Sequence, residues 1–193
     1  MIIKNWKQEV CTIPNLLSLF RLIAIPVYMN IYQNAQNMQQ VYIAGGVLIF
    51  SCITDWADGV IARQYDKVTK LGKVLDPLAD KLTQLSLLIC ISIKHSKFIP
   101  VLGLFILKEI LQVALGIISL TKGRILKGAL FAGKVCTTAL FITLIFIILQ
   151  SDISDLFIRA IVFTDIFFLM ISLFSYIQAY YSKNTYFENF TQK

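Results

Sequence analysis

Charge is scarce in this chain. Only 15% of its 193 residues are Asp, Glu, Lys or Arg, against 57% hydrophobic, and mean hydropathy is +0.71. Soluble domains carry about 25% charged residues, so a sizeable soluble domain is excluded. The four cysteines (Cys11, Cys52, Cys90 and Cys136) share no metal-ligand spacing, and three lie in apolar runs. That excludes a disulfide framework and reads as small buried hydrophobes. No small-residue cleavage site follows the first apolar run, which contains Arg21, so a cleavable signal peptide is not expected. Internal repeats, low-complexity tracts and domain boundaries are also missing.

What fills the chain is a series of apolar runs of about 20 residues, enough to cross a bilayer. Pro14 and Asn15 open a span over 14–33. The uncharged connector Asn34 to Gln40 leads to a second span over 41–62. A third begins near Asp76-Pro77, with proline in a favoured first-turn position, and ends by Lys94. Three more are expected over 98–120, 130–149 and 157–181. The expected fold is an all-α integral membrane protein with six transmembrane helices in one domain, residues 14–182. Residues 1–13 suit a short amphipathic helix in the head-group layer, and 183–193 form a polar tail. Trp6, Tyr42, Tyr180 and Tyr181 suit interfacial anchors.

The basic residues settle orientation. Eleven Lys and Arg fall in the N-terminus, the second and fourth loops and the tail. The other three loops hold Lys94 and Lys97, and Arg159 opens the sixth span. The positive-inside bias puts both termini in the cytoplasm. Net charge of +7 is thereby explained by topology and anionic lipid, and nucleic acid is not an expected partner. His95 then sits on the far side in a solvated turn and is not a catalyst.

Against this apolar background, four aspartates occur within 26 residues: Asp55, Asp58, Asp76 and Asp80. A carboxylate at membrane depth is costly and points to function. Residues three and four apart share a helix face, so Asp55 and Asp58 are neighbours, as are Asp76 and Asp80. The short loop between the two spans makes them an antiparallel pair whose acidic faces can meet. Arg63 and Lys81 are too few to neutralise all four, which calls for hard cations such as Mg²⁺, Mn²⁺ or Ca²⁺. Asp76, just before Pro77, is also a candidate N-cap. Arg21 suits snorkelling to the interface, pairing with an acid such as Asp165, or function. Asp165 itself reads as a hydrogen-bonded structural acid.

The series Asp55-x-x-Asp58-Gly59-x-x-Ala62-Arg63, eight residues, Gly72, three residues, Asp76, three residues, Asp80 resembles the CDP-alcohol phosphatidyltransferase signature at every fixed position. Ile13-Pro14-Asn15-Leu16-Leu17, Arg21 and Gly133-Lys134-Val135-x-Thr137 look like its bacterial phosphatidylglycerophosphate synthase and cardiolipin synthase branches. The resemblance implies phosphatidyl transfer from CDP-diacylglycerol to an alcohol with release of CMP. It implies two Mg²⁺ or Mn²⁺ ions on Asp55, Asp58, Asp76 and Asp80, with Asp80 also as general base. Gly59, Ala62, Arg63 and Gly72 would bind CDP-diacylglycerol together with Asp55 and Asp58. It also implies a homodimer in the bacterial cytoplasmic membrane, working at the cytoplasmic face among membrane lipids.

For the acceptor, Lys108, Arg124 and Lys134 are candidate contacts, because glycerol 3-phosphate is a small dianion. Lys108 could instead pair with the sixth span or with Glu109 of a neighbour. The glycerol-phosphate branch has Arg-Glu where this chain has Lys108-Glu109, a second Arg where it has Gly116, and Lys where it has Cys136. Those departures remove cations and a bidentate fork, yet pattern and length favour glycerol 3-phosphate. Phosphatidylglycerol is the alternative acceptor. A non-enzymatic divalent-cation carrier is the remaining rival, but a cation pathway would spread acids through the bilayer depth.

Overall fold

The computed structural model describes residues 13–64, 72–121, 124–126, 131–150, 153–181 and 187–189. Six long helices account for nearly all of them: α1 (Ile13–Gln33), α2 (Met38–Gln64), α3 (Gly72–Lys94), α4 (Ile99–Thr121), α5 (Phe131–Leu149) and α6 (Asp155–Tyr181). A 3₁₀ turn, Ser96–Phe98, precedes α4. Two three-residue strands, β1 (Arg124–Leu126) and β2 (Phe187–Asn189), pair antiparallel with Arg124 opposite Asn189. They tie the backbone of the basic loop after α4 to the tail, a pairing that periodicity does not reveal. The amphipathic segment expected over 1–13 lies outside the described residues, except for Ile13 at the start of α1.

Among the described residues, four helices are long and apolar enough to cross a membrane: Asn15–Gln33, Ser96–Ser119, Ala132–Leu149 and Asp155–Tyr181, with a shorter apolar stretch over Met38–Ser51. Large apolar side chains face outward, as with Leu16, Phe20, Ile23 and Val27 on α1 and Phe163, Phe167, Met170 and Phe174 on α6. Contiguous apolar surface of that kind would associate in water and suits lipid.

The chain forms two compact units, Met1–Cys90 and Ile91–Lys193. In the first, the four-residue link 34–37 turns α1 back on α2, and Phe20 meets Phe50 edge-on at 6.1 Å between ring centroids. The pair is antiparallel, as short helix connections require. Val41, Ala44, Gly45, Leu48 and Ser51 form the buried stripe of α2 at helical spacing. Contacts from α1 to α3 keep a nearly constant offset. Ser18 meets Asp76, Arg21 meets Asp80, Tyr28 meets Ser86 and the Thr83 carbonyl, and Gln33 donates to Cys90, all at separations of 55 to 59 residues. A constant difference, rather than a constant sum, means that α1 and α3 run parallel. It follows that α2 and α3 are antiparallel.

Helix α3 begins at Gly72, earlier than the sequence boundary near Asp76-Pro77. Asp76 therefore lies in the second helical turn and cannot be the N-cap. Pro77, inside the helix, forgoes the hydrogen bond to the Lys73 carbonyl.

In the second unit, α6 packs on both α4 and α5. Its buried stripe runs Ile158, Ile161, Val162, Asp165, Leu169, Ser172 and Ala179. Against it lie Cys136, Leu140, Leu144, Ile147 and Ile148 of α5 and Phe98, Val101 and Phe105 before and within α4, all buried. Lys97 pairs with Asp155 and links the 3₁₀ turn to the start of α6, so that turn is more than a solvated loop.

Candidate functional site

Asp76 and Asp80 sit one turn apart on α3, and both are gripped from α1. Ser18 Oγ donates to Asp76 Oδ1, and Arg21 Nη1 bonds Asp80 Oδ1 in a salt bridge. The two ends of that bridge differ in setting: the Arg21 side chain is 4% exposed and that of Asp80 is 55% exposed. The guanidinium is packed into the unit while the carboxylate opens outward. Arg21 thus pairs with Asp80, because the parallel register of α1 and α3 puts positions 21 and 80 side by side.

Asn15, Ser18 and Arg21 are all buried and recur every three residues, forming a polar stripe whose opposite face is the lipid-suited set from Leu16 to Val27. The sequence singles out Asn15 as a span opening and as part of the Ile13-to-Leu17 resemblance, and Arg21 beside it, but not Ser18. The signal was present: three polar residues at helical spacing inside an apolar run face the interior of a bundle.

The backbone of α2 brings positions 55, 58, 59 and 62 into the helical continuation of the stripe Val41 to Ser51. Extending the antiparallel alignment from Phe20 and Phe50 puts position 55 at the level of position 15, the end of the unit where Asp76 and Asp80 lie. The side chains of Asp55, Asp58, Gly59, Ala62, Arg63 and Gly72 are outside the described residues. Among the described residues no group of three or more His, Cys, Asp or Glu gathers as a metal site. The donor chemistry of Asp76 and Asp80 nevertheless fits a hard divalent ion. Each carboxylate offers about four acceptor positions over two oxygens, and the bonds described from Ser18 and Arg21 each reach Oδ1.

The acceptor candidates fall in the second unit. Lys108 is buried to 3% exposure, its Nζ lies 2.6 Å from Glu109 Oε1, and it sits 5.8 Å from the Phe105 ring centroid. The salt bridge is with the next residue of its own chain, and among the described residues no ion pair joins Lys108 to the sixth span. Lys134 is exposed at the start of α5, and Arg124 contributes only its backbone to the described structure. Gly116 has open space where a Cβ would stand. Asp165 is the structural acid the sequence indicated: it is 1% exposed and accepts from Thr143 Oγ1 at 3.0 and 3.1 Å.

A family model described as CDP-alcohol phosphatidyltransferase matches residues 11–177. The chain belongs to that family. It is 31% identical over 144 residues to the CDP-diacylglycerol–glycerol-3-phosphate 3-phosphatidyltransferase of Escherichia coli, covering 73% of this chain and 79% of that protein. It is 39% identical over 80 residues to a putative cardiolipin synthase of Mycobacterium tuberculosis, covering 39% and 35%. Similarity to the cardiolipin synthase (CMP-forming) / mitochondrial hydrolase fusion protein of Schizosaccharomyces pombe is 33% over 110 residues, covering 56% and 18%. The matched region therefore spans about a third or less of the two cardiolipin-synthase relatives. The signature of that family lies along α2 and α3.

Proposed function

We propose that the chain transfers a phosphatidyl group from CDP-diacylglycerol to an alcohol and releases CMP. The observation that carries the reading is the pair Asp76 and Asp80 on one face of α3, both held by polar side chains from α1 at one end of the unit. Asp55, Asp58, Asp76 and Asp80 would hold two Mg²⁺ or Mn²⁺ ions, which supply charge neutralisation for the pyrophosphate and the leaving group. Asp80 takes the proton of the acceptor hydroxyl as its oxygen bonds to the phosphatidyl phosphorus and the bond to CMP breaks. Gly59 and Ala62 admit the cytidine closely, with Gly72 in the same signature, and Arg63 contacts the nucleotide or diphosphate. The donor's acyl chains lie in lipid and its nucleotide in water, which suits six spans with both termini and the site at the cytoplasmic face of a bacterial membrane. A homodimer belongs to the same reading.

The acceptor in this reading is glycerol 3-phosphate, contacted by Lys108, Lys134 and Arg124. One observation favours a second acceptor, the glycerol hydroxyl of phosphatidylglycerol. The Lys108 charge is already engaged by Glu109, and Gly116 stands where the glycerol-phosphate branch has an Arg. Purified protein given CDP-diacylglycerol and Mn²⁺ with each acceptor tests both readings through CMP release and the product lipid. Silence with every acceptor would leave the cation-carrier alternative. Because space is open at Gly116, Gly116→Arg should fold and shift preference towards the phosphorylated acceptor. Unchanged acceptor kinetics would remove that position from recognition.

A further inference from the structure

Ser18 and Arg21 lie outside the eight-position signature, on a helix that contributes none of it. Each nevertheless donates to one acid of the signature, and to a different one. We infer that Ser18 and Arg21 are positioning residues of the transfer site, which fix the Asp76 and Asp80 carboxylates from the facing helix. The inference rests on the phosphatidyl-transfer reading for what the carboxylates do.

Burial does not hold Asp80, whose side chain is 55% exposed. An open carboxylate samples staggered rotamers unless something directional selects one. The Arg21 guanidinium is directional because its donors lie in a rigid plane, and it is itself packed to 4% exposure. A group so enclosed can orient an open neighbour; the reverse does not hold. Ser18 serves Asp76 in the same way from one turn earlier, and it is also buried.

The remote half of the seam keeps these donors in place. Tyr28 binds Ser86 and Thr83, and Gln33 binds Cys90, in the same register and two or more turns away. A slip of one residue along α1 would shift its donors by about 1.5 Å and rotate them by roughly 100°, which breaks every contact at once. Hydrogen bonds between membrane helices are individually weak. Their value here is in specifying register more than in strength.

The test uses full-length protein in nanodiscs, with Ser18→Ala, Ser18→Thr, Arg21→Gln and Arg21→Lys measured for melting temperature, Mn²⁺ affinity by calorimetry, and CMP release. Groups that orient a metal ligand change affinity or activity by about 10- to 100-fold when removed. Ser18→Ala should weaken Mn²⁺ by that factor. Ser18→Ala and Arg21→Gln should lower kcat by it, with KM for CDP-diacylglycerol and melting temperature nearly unchanged. Ser18→Thr, which keeps the hydroxyl, should restore both, and Arg21→Lys should recover part. Folded Ser18→Ala with wild-type kcat and Mn²⁺ affinity would overturn the inference, as would Ser18→Thr failing as badly as Ser18→Ala. If the wild type releases no CMP with any acceptor while Ser18→Ala still weakens Mn²⁺, the transfer reading falls and the positioning role stands. An active wild type with unaffected variants sinks the positioning role alone.

Discussion

Two seams in this molecule each contain a carboxylate, and they treat it oppositely. Between α1 and α3, Asp80 meets a buried cation and turns an exposed flank outward. Between α5 and α6, Asp165 is sealed at 1% exposure and accepts from Thr143 alone among the hydrogen bonds described for it. Around Asp165 the seam is closed by Leu140, Leu144, Ile147 and Leu169, all buried. The α1–α3 seam instead has polar contacts along its whole length. An acid that joins helices is enclosed and needs only a hydroxyl. In the proposed transfer reaction Asp80 would have to stay open to its reactants, and a directional partner would then set its geometry.

The sharpest way to break that contrast is to neutralise each acid in turn. Asp80→Asn should abolish turnover, with a loss of about 10²- to 10⁴-fold for removal of a general base, while the fold persists in circular dichroism. Asp165→Asn should keep its activity, since the amide oxygen still accepts from Thr143. Near-normal CMP release by Asp80→Asn, or an inactive but folded Asp165→Asn, would erase the distinction. The enclosed acid can be tested from its partner. Thr143→Val should cost about 1–3 kcal/mol by leaving a buried acceptor unmatched, read as a lower melting temperature with turnover per folded molecule retained.

A smaller effect is expected where Gly133 of α5 faces Tyr176 of α6. A Cβ on Gly133 would stand 2.9 Å from Tyr176 Oη, so Gly133→Ala should destabilise by about 1–2 kcal/mol through overpacking. Adding Tyr176→Phe should recover part of the loss in a double-mutant cycle; an additive result would show that the hydroxyl is not what the new methyl meets. The smallest effect concerns the turn between α3 and α4. Burial, and then Lys94 and Lys97, lower the pKa of His95 below its ordinary value. The folded state then binds fewer protons than the unfolded chain, so stability is flat above about pH 6.5 and declines as pH falls below it. His95→Gln should flatten that decline in pH-dependent melting curves.

Much of the helical framework was legible from residue order. The spacing of Asp76 and Asp80 put them on one helix face, and the span limits of α1 and α4 to α6 fall within a few residues of those expected. The start of α3 was less legible, because Asp76-Pro77 reads as a helix entrance and the preceding turn from Gly72 has no apolar pattern to announce it. The link between Lys97 and Asp155 and the β1–β2 ribbon were not legible at all. Each joins residues distant in the chain whose local sequence is equally compatible with a solvated loop.

Composition and local spacing alone determined that the chain is helical, suited to lipid, and carries its acids in two pairs, since these follow from hydropathy and the 3.6-residue turn. Which residue grips which acid was decided only by the tertiary structure. Arg21 could have snorkelled to the interface or sought any nearby acid until the parallel register of α1 and α3 set it beside Asp80. Helical periodicity fixes a direction around one axis; the offset between two axes depends on contacts made along their full lengths.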